Sequence, residues 1–252
     1  LRKRLFFVAI AFLSFLTSTI IVASEGQEKI ALQKVHNNLK NAASLQRGAA
    51  LYVNYCQGCH SLQYTRYSQL RDYLGIKLKD EEDRFNTPES IALSNKLIKE
   101  NLNFVTDKVT DPMINAMPKK DAEKWFGVAP PDLSLVTRLR GKDWVYTYLK
   151  SFYKDETRPW GVNNALFPNV SMPHVLVSLE GFKNKDLKQE TKGELSPQTY
   201  DKAITDLVNF LEMVGEPTKL QRQHMGVFVI LFLLILTIFL YLLKREYWKD
   251  VH

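Results

Sequence analysis

The run from Met225 to Leu243 is the strongest constraint in this sequence, because its 19 residues carry no charge. Lipid offers no water to backbone amides, so such a run is confined to a helix that closes its own hydrogen bonds. At about 1.5 Å per residue it reaches roughly 28 Å, close to the ~30 Å hydrocarbon core of a bilayer. Lys244, Arg245 and Lys249 follow it, with Tyr241, Tyr247 and Trp248 at the same boundary. Basic residues mark the cytoplasmic side, and Tyr and Trp favour the interface. Lys219 and Arg222 flank the other end, so charge bias alone orients the span weakly.

A second apolar block, Leu5 to Val22, follows Arg2-Lys3-Arg4 and ends in Ala23-Ser24-Glu25. A basic head, an apolar run and small residues describe a signal peptide over residues 1–23, cleaved after Ala23 or Ser24. The run is long for that role, and an uncleaved anchor is the alternative. The two blocks together predict an exported domain over 24–220, a transmembrane anchor over 225–243 and a cytoplasmic tail over 244–252. With 45% hydrophobic and 24% charged residues, the chain is neither disordered nor a disulfide scaffold. Of the net charge of +7, three positive charges sit in Arg2, Lys3 and Arg4. No basic stripe with interleaved aromatics follows, so nucleic acid is not an expected partner.

The chain has two cysteines, and they are three positions apart, in Cys56-Gln57-Gly58-Cys59-His60. This is the attachment sequence for c-type haem. Two thiols at this spacing can form thioethers to both vinyl groups of one porphyrin, and the adjacent histidine then sits under the iron. A redox pair does not need that histidine, and no βαβ pattern surrounds it. A structural zinc site wants four ligands. His36, His174, His224 and His252 supply no second pair at zinc spacing.

Ala42 to Tyr55 reads as a helix with Ala43, Leu45, Ala49, Ala50, Tyr52 and Val53 mostly on one side. Gly48 would let another helix approach closely. Ser196 to Gly215 supplies a partner. Ser196 is a good N-cap, Pro197 suits the first helical position, and Gly215 with Pro217 ends the run. Tyr200, Ala203, Ile204, Leu207, Val208, Leu211 and Val214 keep helical spacing and form its core face.

A methionine opposite the histidine would raise the haem potential. Met225 begins the membrane span and Met213 lies on the amphipathic helix, where packing is the simpler role. Met113 and Met117 fall in a charged, proline-broken stretch, although Met117 precedes Pro118. Met172 lies in the loop Phe167-Pro168-Asn169-Val170-Ser171-Met172-Pro173-His174, before the last soluble helix. There a chain can swing to the distal haem face. His174 is the rival ligand in the same loop.

Four stretches taken together resemble the cytochrome c1 family, the haem c subunit of the quinol–cytochrome c reductase (bc1) complex, in its bacterial form. They are Ser44-Leu45-Gln46-Arg47-Gly48 leading into Tyr55-Cys56-Gln57-Gly58-Cys59-His60-Ser61; Ala129-Pro130-Pro131-Asp132-Leu133-Ser134; Thr157-Arg158-Pro159-Trp160-Gly161 through Asn163-Asn164; and the Met172 loop through Val175-Leu176. Their order and the C-terminal anchor also match, from about residue 30 to the end. The resemblance implies Met172 as the axial methionine and Arg140 as the partner of a haem propionate. It implies Pro130 and Pro131 as pocket-lining residues and Trp144 as the aromatic beside the haem. One haem c is expected, attached through Cys56 and Cys59, with His60 and Met172 as the iron ligands.

The expected fold is mainly α: a c-type cytochrome domain with insertions, chiefly over 71–125, plus one C-terminal transmembrane helix. The implied function is one-electron relay from a Rieske iron–sulfur protein to cytochrome c, beside cytochrome b, in a ubiquinol–cytochrome c reductase. The chain would act as a subunit of that enzyme without independent catalysis. The implied place is the bacterial inner membrane, with the haem domain periplasmic. Two alternatives share the haem motif. One is a free-standing anchored cytochrome c that donates to a terminal oxidase. The other is a five-coordinate haem enzyme, which Met172 argues against. No cysteine remains for a disulfide, so the Met172 loop is expected to be held by packing and its prolines. The acidic run Asp80-Glu81-Glu82-Asp83, flanked by Lys77, Lys79 and Arg84, reads as a solvated face rather than a docking site.

Overall fold

A computed structural model describes residues 30–76 and 87–249. The expected leader over 1–23, the acidic run at 80–83 and residues 250–252 of the tail lie outside the described residues. From Leu32 onward the chain forms one unit, built on the crossing of two helices. The first, α1, spans Ala42–Tyr55, and the Asn41 side chain caps it by accepting from the Ser44 amide at 3.1 Å. Its partner, designated α8 because six helices intervene among the described residues, spans Pro197–Gly215. Ser196 caps it by accepting from the Thr199 amide, and Pro197 opens the first turn. Both helices therefore occupy the residues their apolar spacing predicts.

They meet at Gly48. A Cβ placed there would lie 2.0 Å from the Asp206 carbonyl oxygen and 2.8 Å from Phe210 Cβ. Only a residue without a side chain permits this approach. Polar groups flank the contact. Ser44 Oγ donates to Asp206 Oδ1 at 2.6 Å, and Arg47 Nε donates to Asp206 Oδ2 at 2.6 Å. Asn209 bonds the Ser44 hydroxyl and the Asn38 carbonyl. Tyr52 and Phe210 pack beside it, with ring centroids 5.8 Å apart.

Between α1 and α8 the chain adds short elements. Strand β1 (Leu62–Arg66) pairs antiparallel with β2 (Pro112–Met113). Helix α2 (Tyr67–Tyr73) follows β1, and α3 (Pro88–Leu102) packs against it. Thr87 caps α3, and Pro88 opens it. Helix α4 (Lys119–Phe126) ends at Gly127, whose φ of 75° suits glycine. These helices fill the stretch that charge and prolines made hard to read in advance. Helices α5 (Val136–Leu139) and α6 (Lys142–Lys150) return to α8. Strands β3 (Phe152–Lys154) and β4 (Val162–Asn164) pair antiparallel, and the one-turn helix α7 (Val177–Glu180) precedes α8.

Helix α9, Lys219–Tyr247, buries none of its residues and is long and apolar enough to cross a membrane. Its first turns are tied to the domain by charge. Lys219 bonds Glu212, Arg222 Nε lies 2.5 Å from Glu216 Oε1, and Arg138 lies 3.8 Å from the same carboxylate.

Gly48→Ala is expected to force α1 and α8 apart. Overpacking of this kind costs about 1–3 kcal/mol or more. The melting temperature should fall by several degrees. A thermal melt indistinguishable from wild type would contradict the close-crossing account.

Candidate haem site

Helix α1 delivers the two cysteines. As the helix ends, the Cys56 and Gln57 amides both donate to the Tyr52 carbonyl, at 2.8 and 2.9 Å. The His60 amide then donates to the Cys56 carbonyl at 2.8 Å. This tight turn puts Cys56, Cys59 and His60 on one cavity. Three side chains hold it from outside: Tyr52 Oη donates to the His60 carbonyl at 2.6 Å, Asn115 bonds the Cys59 carbonyl, and the Tyr67 hydroxyl accepts from Gln57. Asn115 and Tyr67 had no sequence signal, because they reach the turn from a different segment and from α2.

The cavity is about 570 Å³ and predominantly apolar. Pro130, Pro131, Arg140, Trp144 and Met172 also line it, so every residue singled out for the site converges there. Prolines carry no N–H, so they face an apolar cavity without leaving a donor unpaired. Arg140 is exposed at the cavity edge, with its guanidinium carbon 5.2 Å from the Trp144 ring.

The other ligand candidates separate cleanly. Met113 is fully buried opposite Leu62, and Met213 packs in the core around α8. Met117 lines a second cavity of about 280 Å³ with Ser61 and Lys119. Met225 lies on α9. His174 is buried, stacked on Phe152 at 5.0 Å and 4°, with Nε2 3.1 Å from Glu180 Oε2. Its ring is engaged behind the loop rather than on the cavity.

His60 Nδ1 lies 2.7 Å from the Pro131 carbonyl. With Nδ1 as donor, the Nε2 lone pair is the one left for a metal, and a carbonyl in this place fixes both tautomer and ring orientation. Burial lowers the His60 pKa, against the opposing pull of the Pro131 carbonyl and Asp132, which favours the neutral imidazole that a metal would require. Burial, with Cys59 nearby, pushes the Cys56 thiol up to about 12, and burial also raises Cys59. A thiol-exchange pair needs the reverse, a stabilised thiolate. Among the described residues no group of three or more His, Cys, Asp or Glu gathers as a zinc site would require. Two thiols, one imidazole and one thioether around an apolar cavity, with a guanidinium at its edge, fit a haem.

The segment carrying Pro131 is itself pinned to the motif. The Leu133 amide donates to the Ser61 carbonyl at 2.9 Å, and Asp132 accepts from the Gln63 and Ser134 amides.

The distal loop is held in part by packing, as expected, with Val170 buried against Phe152 and Val162. Buried asparagines, more than prolines, organise it. Asn163 Oδ1 accepts from the Asn164 and Asn169 amides at 2.9 and 2.8 Å. Asn164 Oδ1 accepts from the Leu166 and Phe167 amides, both at 3.0 Å, and its Nδ2 donates to the Tyr148 carbonyl at 2.8 Å. Asn169 takes φ 63°, which asparagine tolerates better than most residues. Asn164→Ala should cost about 1–2 kcal/mol, because it removes three part-buried hydrogen bonds that tie the loop to itself and to the Tyr148 carbonyl. Chemical denaturation checks this, and an unchanged midpoint would refute the asparagine hold.

Comparison with known proteins bears on the assignment. The model of the Cytochrome C1 family matches residues 33–251. A cytochrome c1 of Allochromatium vinosum is 49% identical over 94% of this chain and 96% of that protein. A Nitrosomonas europaea protein named ammonia monooxygenase gamma subunit is 39% identical over 95% of this chain and 97% of its own length. The cytochrome c1 of Rhodospirillum rubrum is 28% identical over 82% of this chain and 81% of that protein. With the family match spanning nearly all of the described residues and the cavity geometry beside it, the chain belongs to the cytochrome c1 family.

Proposed function

We propose that this chain relays single electrons within a ubiquinol–cytochrome c reductase, from a Rieske iron–sulfur protein to a cytochrome c, beside a cytochrome b. The reading is carried by one observation: Cys56, Cys59, His60 and Met172 line a single apolar cavity in a chain of this family. Cys56 and Cys59 would hold the haem as thioethers, His60 would ligate the iron on the proximal side, and Met172 would ligate it on the distal side. The haem supplies the one-electron couple. The chain's own residues do the rest. His60 is oriented by the Pro131 carbonyl. Arg140, exposed at the cavity edge, would pair with a haem propionate, because an unpaired carboxylate in low dielectric is costly. Pro130 and Pro131, which line the cavity, would face the ring without a stray donor. No bond to substrate is made by this chain, so its part in the enzyme is relay.

The anchor over 225–243 would leave the haem domain periplasmic and the basic residues after Leu243 cytoplasmic, in line with the positive-inside rule. The signal peptide over 1–23 would deliver the domain across the inner membrane.

A reduced-minus-oxidised spectrum of the complex purified through this chain in mild detergent tests the role. Both b-type and c-type bands, with a Rieske iron–sulfur signal alongside, are the expected result. A c-type band alone from an intact preparation would favour the free-standing carrier.

A further inference from the structure

The phenol of Tyr148 lies against the distal sulfur. Its hydroxyl donates to Met172 Sδ at 3.4 Å, within reach for a bond to sulfur. The ring is held by its neighbours. It stacks on Trp144 at 5.0 Å and 10°, and meets Phe152 edge-on at 5.3 Å and 74°. Phe167 stands edge-on at 6.5 Å. The backbone is fixed too, because the Tyr148 carbonyl accepts from Asn164, the residue that organises the distal loop. Trp144 in turn lies under the Arg140 guanidinium. Arg140, Trp144 and Tyr148 recur at intervals of four, so one column runs from the cavity edge to the sulfur.

We infer that Tyr148 is a positioning residue for the distal sulfur, whose hydroxyl orients Met172 and favours the reduced state of the iron. The inference rests on the reading of Met172 as ligand. A thioether is a weak acceptor, and a hydrogen bond to it withdraws lone-pair density. Less donation disfavours Fe(III) more than Fe(II). Outer hydrogen bonds to an axial ligand are among the levers by which a protein sets a haem potential. The same bond selects one orientation of the sulfur among those a flexible methionine could take.

Tyr148→Phe in the full chain tests it, since phenylalanine keeps the ring packing and removes only the hydroxyl. Two quantities are read: the sulfur-to-iron charge-transfer band of the oxidised protein, and the potential by redox titration. Tyr146→Phe is the control. That hydroxyl sits on the same helix but accepts from Lys150 Nζ at 3.2 Å, and Tyr146 does not line the cavity. The expected result is a Tyr148→Phe protein that keeps the band while its equilibrium constant for reduction falls about threefold, the lower range of a neutral hydrogen bond. At 59 mV per tenfold that is ~28 mV. Tyr146→Phe should leave the potential in place. A wild-type band with no shift in Tyr148→Phe, or an equal shift in both variants, overturns the inference and leaves Met172 as ligand. A wild-type protein without the band overturns the ligand reading and the inference together.

Discussion

The close approach of α1 and α8 at Gly48 is the constraint on which the rest depends. Asp206 O lies 2.0 Å from where a Cβ of residue 48 would be, so a side chain there would push the two helices apart. That crossing fixes the end of α1, and with it the turn that carries Cys56, Cys59 and His60. It also fixes the α8 residues Leu207 and Leu211, which form part of the cavity wall. The buried Asp206 carboxylate gains partners from Ser44 and Arg47, so the polar groups at the crossing are paired rather than stranded.

The two sides of the cavity are built differently. On the proximal side, main-chain bonds inside the motif and to the 130–134 segment make a short, rigid turn. A carbonyl of that segment then meets the histidine. On the distal side a longer loop is shaped by side chains, with Asn163 and Asn164 standing in for the backbone ladder the loop lacks. His174, the residue that competes with Met172 on chemistry alone, is drawn behind the loop to Glu180 and Phe152. The geometry thus separates two neighbouring candidates that residue type could not. The α8–α9 junction is tied by Glu212 and Glu216, so the cavity wall and the membrane helix share one helical support.

Much of this was legible from residues with short-range rules. The cap at Ser196, Pro197 at the first helical position and the apolar spacing of 200–214 are local signals, and the helix follows them. The Cys-x-x-Cys-His spacing likewise carries its own chemistry. Helices α3 and α4 were not legible, because they are largely exposed and bury only isolated faces such as Ser90, Ser94, Ile98 and Ala122. Asn115, Tyr67 and Tyr148 were not legible either. Each acts across many residues of sequence, on a carbonyl, an amide or a sulfur that no periodic pattern marks. Asn163-Asn164 figured in advance only among the residues of a family resemblance, with no role; the structure gives one in the loop amides the pair satisfies.

In the proposed arrangement the cysteines would hold the haem, and His60 and Met172 would share its iron. The electronic spectrum of a Met172→Leu protein tests that most directly. Covalent attachment should survive, because Cys56 and Cys59 are untouched. The low-spin, sulfur-ligated spectrum should be lost and the potential should drop. A Met172→Leu protein whose spectrum matches wild type would contradict the account at its centre.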